Sequence, residues 1–137
     1  METTLILFKP DAVQKALVGK VLERFESAGL TIRGIKMFKA DDAILNEHYA
    51  HVADKPFYPE LETFMQQTPM IALALSGESA IDRARELLGP TDSQKAAKGT
   101  IRGDFGEDVM FNVCHASDST EAAGVELERF FQNGELF

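Results

Sequence analysis

A chain of 137 residues, 45% hydrophobic and 26% charged, has the length and composition of one globular domain with a core, not of a disordered segment. Its formal net charge of -8 argues against sequence-blind binding to nucleic acid or to an anionic membrane surface, yet leaves room for a small cationic pocket. The single cysteine, Cys114, excludes an internal disulfide.

No apolar run nears the ~20 residues of a membrane span, and Met1-Glu2-Thr3-Thr4 lacks the basic start of a secretory signal. A cytoplasmic location is therefore expected. There is no linker, repeat or low-complexity stretch, so residues 1–137 read as a single domain.

Leu5-Ile6-Leu7-Phe8, stopped by Pro10, predicts a buried central strand. Val18, Val21, Leu22, Phe25 and Ala28 recur at helical spacing, and Gly29 stands where a left-handed cap closes a helix. Leu30 to Phe38 reverts to strand with a phase slip. A bulge at Gly34 would keep Leu30, Ile32, Ile35 and Met37 all on the core side.

Asp41 to His51 predicts a short helix capped by Asp41 or Asp42, and Lys55-Pro56-Phe57-Tyr58-Pro59 a break. Glu60 to Gln67 predicts a second helix with Leu61, Phe64 and Met65 inward. Met70 to Leu75 reads as a strand after Pro69, Ser76 to Ser79 as a turn, and a helix with Ile81, Ala84, Leu87 and Leu88 ends at Gly89-Pro90. Thr91 to Asp108 is apolar-poor and long for a loop, and loops of that length tend to be functional.

Val109, Phe111 and Val113 then alternate with Met110, Asn112 and Cys114 as a last strand. Asp118 with Glu121 makes a capping-box-like start to an amphipathic helix from Ser119 to Phe131. Two split βαβ halves of this kind build an α+β, ferredoxin-like sandwich: a four-stranded antiparallel sheet with helices packed on one face.

His115 falls in the crossing between last strand and last helix, where a rigid scaffold can present a reactive group. Lys9 emerges at a strand end, Arg85 lies beside the apolar stripe of its helix, and Arg102 stands in the long loop between Gly99 and Gly103. Glycines there allow close approach of backbone and ligand. A carboxylate reaching His115 from Glu126 would set its tautomer. Ser117 and Asp118 read as support for the turn and cap. Phe57, between two prolines, is expected to be exposed and able to stack on a flat ligand. His48 and His51 could offer two metal ligands, but a strand would point Cys114 and His115 to opposite faces, so no metal cage is expected.

Asn112-x-x-His115-Ala116-Ser117-Asp118 carries the most specific resemblance in the chain, supported by Lys9-Pro10-Asp11, Lys55-Pro56-Phe57, Arg85 with Leu88-Gly89, Thr91, and Gly99-Thr100-Ile101-Arg102. Together, from Thr4 onward, these resemble the nucleoside diphosphate kinases. The resemblance implies ping-pong transfer of a γ-phosphate from a nucleoside triphosphate to nucleoside diphosphates through a phosphohistidine at His115. It gives Glu126 the role of holding the imidazole and Tyr49 that of a contact near the γ-phosphate. Lys9, Arg85, Thr91 and Arg102 would bind phosphates, Asn112 and Lys9 the ribose, and Phe57 the base. Magnesium would ride on the phosphates with little or no protein ligation. The resemblance also implies a homo-oligomer, tetramer or hexamer, assembled from dimers. Ala116 stands where a glycine is common, and His51 where a carboxylate is. A ferredoxin-like regulatory module that binds nucleotide without turnover is the alternative reading of the same residues.

Overall fold

Four apolar residues in a row leave the first strand no solvent face. Leu5, Ile6, Leu7 and Phe8 are completely buried within β1 (Glu2–Phe8). In the computed structural model, which describes residues 1–137, the chain continues through α1 (Pro10–Gln14), α2 (Val18–Ser27), β2 (Thr31–Phe38), α3 (Asp42–His48) and α4 (Tyr58–Met65). Then follow β3 (Met70–Gly77), α5 (Ala80–Leu88), a 3-10 turn at Ser93–Lys95, α6 (Ile101–Phe105), β4 (Cys114–Ala116) and α7 (Thr120–Phe130).

The strands form one sheet in the order β2-β3-β1-β4, with every neighbouring pair antiparallel. This is the expected four-stranded α+β sandwich, but its helices do not keep to one face. Ile6, Phe8, Leu73 and Leu75 pack on Val21 and Phe25 of α2 and Ala84 and Leu88 of α5. Side chains alternate across a strand, so Leu5, Leu7, Ala72 and Ala74 point the other way, where Phe130 and Phe131 at the end of α7 cover them. A third cluster joins α3 and α4 through Leu45, Leu61, Phe64 and Met65.

The register between β2 and β3 shifts between Ile32 and Gly34, as a bulge there requires. Ile35 and Met37 then lie opposite Leu73 and Ile71 but stay 49% and 59% exposed, because β2 is an edge strand that no helix covers at that end. Gly34 itself faces the other side, where a Cβ would come within 2.9 Å of the Glu135 carbonyl oxygen. Helix α4 opens at Tyr58 rather than Glu60, with Pro59 in its first turn, a position that needs no N–H. The segment expected to be one long loop holds the 3-10 turn and α6, and Pro10 opens the short α1 rather than merely ending β1.

The last strand is the largest departure. Apolar alternation over 109–114 suggests pairing, yet only Cys114–Ala116 pairs, with Ile6 to Phe8. The chain turns sharply just before it. Val113 has φ +75°, and the Cys114 N–H donates to the Asn112 carbonyl two residues back at 2.9 Å. This is a γ-turn of the left-handed kind, a strained form for any residue and more so for a β-branched one. Its neighbours hold it: the Val113 N–H donates to Asp11 Oδ2 at 3.0 Å, and its carbonyl accepts the Lys9 backbone N–H at 2.9 Å.

Candidate active site

The turn at Val113 delivers His115 to the floor of a cavity of about 400 Å³. Lys9, Tyr49, Phe57 and Arg85 line that cavity, as do Thr91, Arg102, Asn112 and His115. These are the residues expected to carry the chemistry, and they arrive from the junction of β1 and α1, the turn after α3, the break before α4, α5, the loop after it, α6, the entry to β4 and β4 itself. Glu126 and Ser117 stand behind His115 rather than in the cavity.

His115 has two sides. Its Nε2 lies 2.9 Å from Glu126 Oε1, and the same carboxylate oxygen accepts the Ser117 hydroxyl at 2.6 Å. Burial alone would push the Glu126 carboxyl up, but the hydrogen bonds from His115 and Ser117 outweigh it and hold the group below its ordinary value. An ionised carboxylate can only accept, so the neutral ring carries its proton on Nε2 and its lone pair on Nδ1. Ser117, completely buried, also receives the Leu5 N–H at 3.3 Å and so ties the arrangement to β1.

Asp118 does not do what the sequence pattern implies. Ser119 is the N-cap of α7, accepting the Ala122 N–H at 3.0 Å, while Asp118 is exposed and turned to the cavity wall. Ser119 and Asp118 are both good caps, and the turn after Ser117 decides between them.

The cations differ in how they are held. Lys9, 6% exposed, donates from Nζ to the Met110 carbonyl at 2.7 Å and to Asn112 Oδ1 at 2.9 Å. Burial, with a smaller push from Arg102 and against the pull of Asp11, lowers its ammonium to about 8. Arg102 donates to the carbonyls of Asn112 (3.2 Å), Gly89 (3.1 Å) and Cys114 (2.6 Å). A guanidinium has five N–H groups, so two remain for a ligand after those bonds. The glycine beside it serves the chain rather than the ligand, because a Cβ at Gly103 would run into the Ala97 carbonyl. The Arg85 side chain, exposed on α5, has no hydrogen-bond or ion-pair partner within the chain. Asn112 spends both amide hydrogens on the carbonyls of Thr91 and Val109, each at 3.0 Å, and its Oδ1, which accepts from Lys9, keeps one lone pair for a ligand.

The remaining walls are aromatic or apolar. Phe57 is 47% exposed, as its place between prolines implies, and Val109, which sequence periodicity assigned to a strand, is 58% exposed on the same cavity. Burial pushes the Tyr49 hydroxyl well up, and its one hydrogen-bond contact within the chain is to the Met65 sulfur at 4.0 Å. Burial likewise raises the thiol of Cys114, which disfavours its reactive thiolate.

His48 also reaches this region, without His51 as its partner. Ligand atoms of His48, His115 and Glu126 lie within 4.8 Å of one another, but a metal there would have to break the His115–Glu126 bond. Asp11 and Arg129 are further contributors that no sequence signal marked beyond the proximity of Asp11 to Lys9.

An anionic ligand would thus meet three cations around one nitrogen lone pair in a chain that is acidic overall. The family model described as nucleoside diphosphate kinase matches residues 2–136. A nucleoside diphosphate kinase from Parabacteroides distasonis is 46% identical over 137 residues, all of this chain and 90% of that protein. The crystal structure of the Aquifex aeolicus nucleoside diphosphate kinase superposes with a TM-score of 0.94 at 43% identity, over 99% of each chain. That of the Halobacterium salinarum enzyme in complex with CDP gives 0.96 at 40% identity, over 99% of this chain and 91% of that one. Sequence, fold and the gathering of cations about His115 agree, and the chain belongs to the nucleoside diphosphate kinases, phosphotransferases that pass a terminal phosphate from nucleoside triphosphates to nucleoside diphosphates.

Proposed function

We propose that residues 1–137 work as one domain in which His115 Nδ1 carries the phosphoryl group between nucleotides. The observation that supports this most is the 2.9 Å bond from His115 Nε2 to Glu126, which leaves Nδ1 unprotonated in a cavity lined by Lys9, Arg85 and Arg102. In the first half-reaction the Nδ1 lone pair forms a bond to the γ-phosphorus. The bond from that phosphorus to the bridging oxygen breaks, and the nucleoside diphosphate leaves with its electron pair. In the second, a terminal oxygen of another diphosphate attacks the phosphohistidine and Nδ1 recovers its lone pair. Glu126 balances the positive charge the imidazole gains while phosphorylated.

Arg85, the two free N–H groups of Arg102, the Thr91 hydroxyl and the remaining Lys9 proton hold the phosphate oxygens, with Tyr49 near the γ-phosphate. Such fixed donors are the main means of catalysing phosphoryl transfer. Asn112 Oδ1 and Lys9 receive the ribose, and the base slides between Phe57 and Val109. Contact with ring faces alone tolerates every base. The CDP bound by the Halobacterium salinarum relative supports a nucleotide here.

Magnesium fits this donor set. The cavity wall offers cationic, amide and hydroxyl groups and only Asp118 as a carboxylate, so the ion would be carried on phosphate oxygens, where it neutralises charge. The chain has no helix long and apolar enough to cross a membrane, and with its one buried thiol we place it in the cytoplasm. The exposed Ile35 and Met37 on edge strand β2 support self-association into dimers, the building blocks of a tetramer or hexamer. Light scattering over a range of concentrations measures that state.

The central test is covalent. Incubation with γ-labelled ATP should give an acid-labile, base-stable label that is absent in His115→Ala and discharged by GDP. No label on the native chain would leave a nucleotide-binding module without turnover.

A further inference from the structure

Behind His115, on the side away from the cavity, lies a second imidazole that the phosphotransfer scheme leaves idle. His48, at the end of α3, is 7% exposed and wedged edge-to-face against three rings. Its centroid lies 4.7 Å from that of His115, 4.8 Å from Tyr49 and 5.1 Å from Phe130, at interplanar angles of 85°, 77° and 77°. Its Nδ1 lies 2.9 Å from a terminal guanidinium nitrogen of Arg129 on α7, one turn beyond Glu126. A guanidinium only donates, so His48 Nδ1 must accept and the ring must be the neutral Nε2–H tautomer. Arg129 is itself only 12% exposed along its side chain, with its Nε 3.3 Å from Glu47 Oε1 at the surface.

We infer that Arg129 is a positioning residue for phosphoryl transfer, acting through His48 to hold the His115 ring in its attacking orientation. The bond to Glu126 fixes one atom of His115 and leaves the ring free to rock about that contact. The edge-to-face packing of His48 removes this freedom, provided that His48 is itself fixed. Arg129 does so, from the same helix that carries Glu126. The two contacts are thereby referred to one rigid element, and the nucleophile is aligned by a pair of struts from α7. Burial, His115 and Arg129 keep His48 neutral, lowered to about 3 against the opposing pull of Glu126, with His51 and the Tyr49 hydroxyl the other titratable groups around it. A neutral ring there adds no charge to compete with the phosphoimidazole.

The inference rests on His115 as the nucleophile, and the test separates the two. Arg129→Met, Arg129→Lys and the native chain are compared by nitrogen-detected NMR of the imidazoles and by single-turnover phosphorylation with ATP. The native spectrum should show His48 as one tautomer with a hydrogen-bonded Nδ1. In Arg129→Met that signature should be lost, and the rate constant at saturating ATP should fall about tenfold while ADP affinity holds, a loss of alignment rather than of binding. Arg129→Lys, which keeps a donor, should recover most of the rate and the tautomer signal; it also stands as the test if the methionine variant fails to fold. A native rate in Arg129→Met, or a mixed His48 tautomer in the native chain, overturns the inference. Absence of phosphohistidine in the native chain instead overturns the nucleophile assignment, and the tautomer readout still judges the bond between Arg129 and His48.

Discussion

With Lys9 as a phosphate-binding group, its half-lost charge should make nucleotide binding a proton-coupled event. Burial lowers this ammonium from 10.5 to about 8, so near pH 8 about half of the free protein lacks the charge. A diphosphate brings anionic oxygen to Nζ and restores the proton. Binding at pH 8 should therefore take up about half a proton per site, and less than about a fifth of one at pH 7. If binding requires the protonated form, affinity should weaken about tenfold between pH 7 and pH 9.

Stability moves in the opposite sense. The folded value lies below the unfolded one, so between pH 8 and 10.5 the unfolded chain holds the extra proton and the free protein gains stability as pH rises, by at most about 3 kcal/mol. Titration calorimetry with ADP in buffers of different ionisation enthalpy measures the uptake. Lys9→Met, which lacks the group, subtracts the proton traffic of the nucleotide itself. Equal uptake by the two proteins at pH 8 would refute the reasoning, as would affinity that stays flat to pH 9.

Glu126→Gln should slow His115 phosphorylation about tenfold in stopped-flow measurements with little change in melting temperature, because the amide can still accept from Nε2–H but supplies no charge. Unchanged turnover would refute a catalytic role for the Glu126 charge and leave its bonds to His115 and Ser117 as packing alone. Arg102→Lys should cost both rate and stability, since an ammonium cannot reach the carbonyls of Gly89, Asn112 and Cys114 together; about 2 kcal/mol in denaturant titration is expected. Gly103→Ala should destabilise by about 2 kcal/mol and lower nucleotide affinity, because the new methyl group must push the Ala97 carbonyl away from α6.

Much of this architecture is written in local pattern. The run Leu5 to Phe8 has no polar residue to offer solvent, so it could only be an inner strand. The helical spacing of Val21 and Phe25, the glycine after α2 and the phase slip at Gly34 each have a local physical cause, and each is present. The site residues are legible mainly through the resemblance carried by Asn112-x-x-His115-Ala116-Ser117-Asp118 and its companion motifs, since a single cation on a surface says little about a ligand. What pattern could not reveal depends on partners far away in sequence. Alternation over 109–113 reads as strand because periodicity is blind to Asp11, which takes the Val113 N–H and bends the chain. Asp118 and Ser119 are equal candidates for a cap until the turn after Ser117 chooses. The two covered faces of the sheet follow from Phe130 and Phe131 folding back across β1 and β3, a tertiary fact. Arg129 looks like any charge on a solvated helix until His48 is seen beside it.

The turn at Val113 also bears on when the active site comes into being. Its two restraints, at Lys9 and Asp11, lie about a hundred residues earlier, a separation of 102 for the bond to Asp11. During synthesis the N-terminal anchors emerge long before the segment they must bend, and a left-handed valine does not wait in that shape unaided. The β2-β3 pairing and the packing of α2 on the sheet can form without it. The strand that carries His115 cannot, so the loop from β1 to β4 must close before the cavity around His115 is complete, and a chain stalled before residue 113 should lack it.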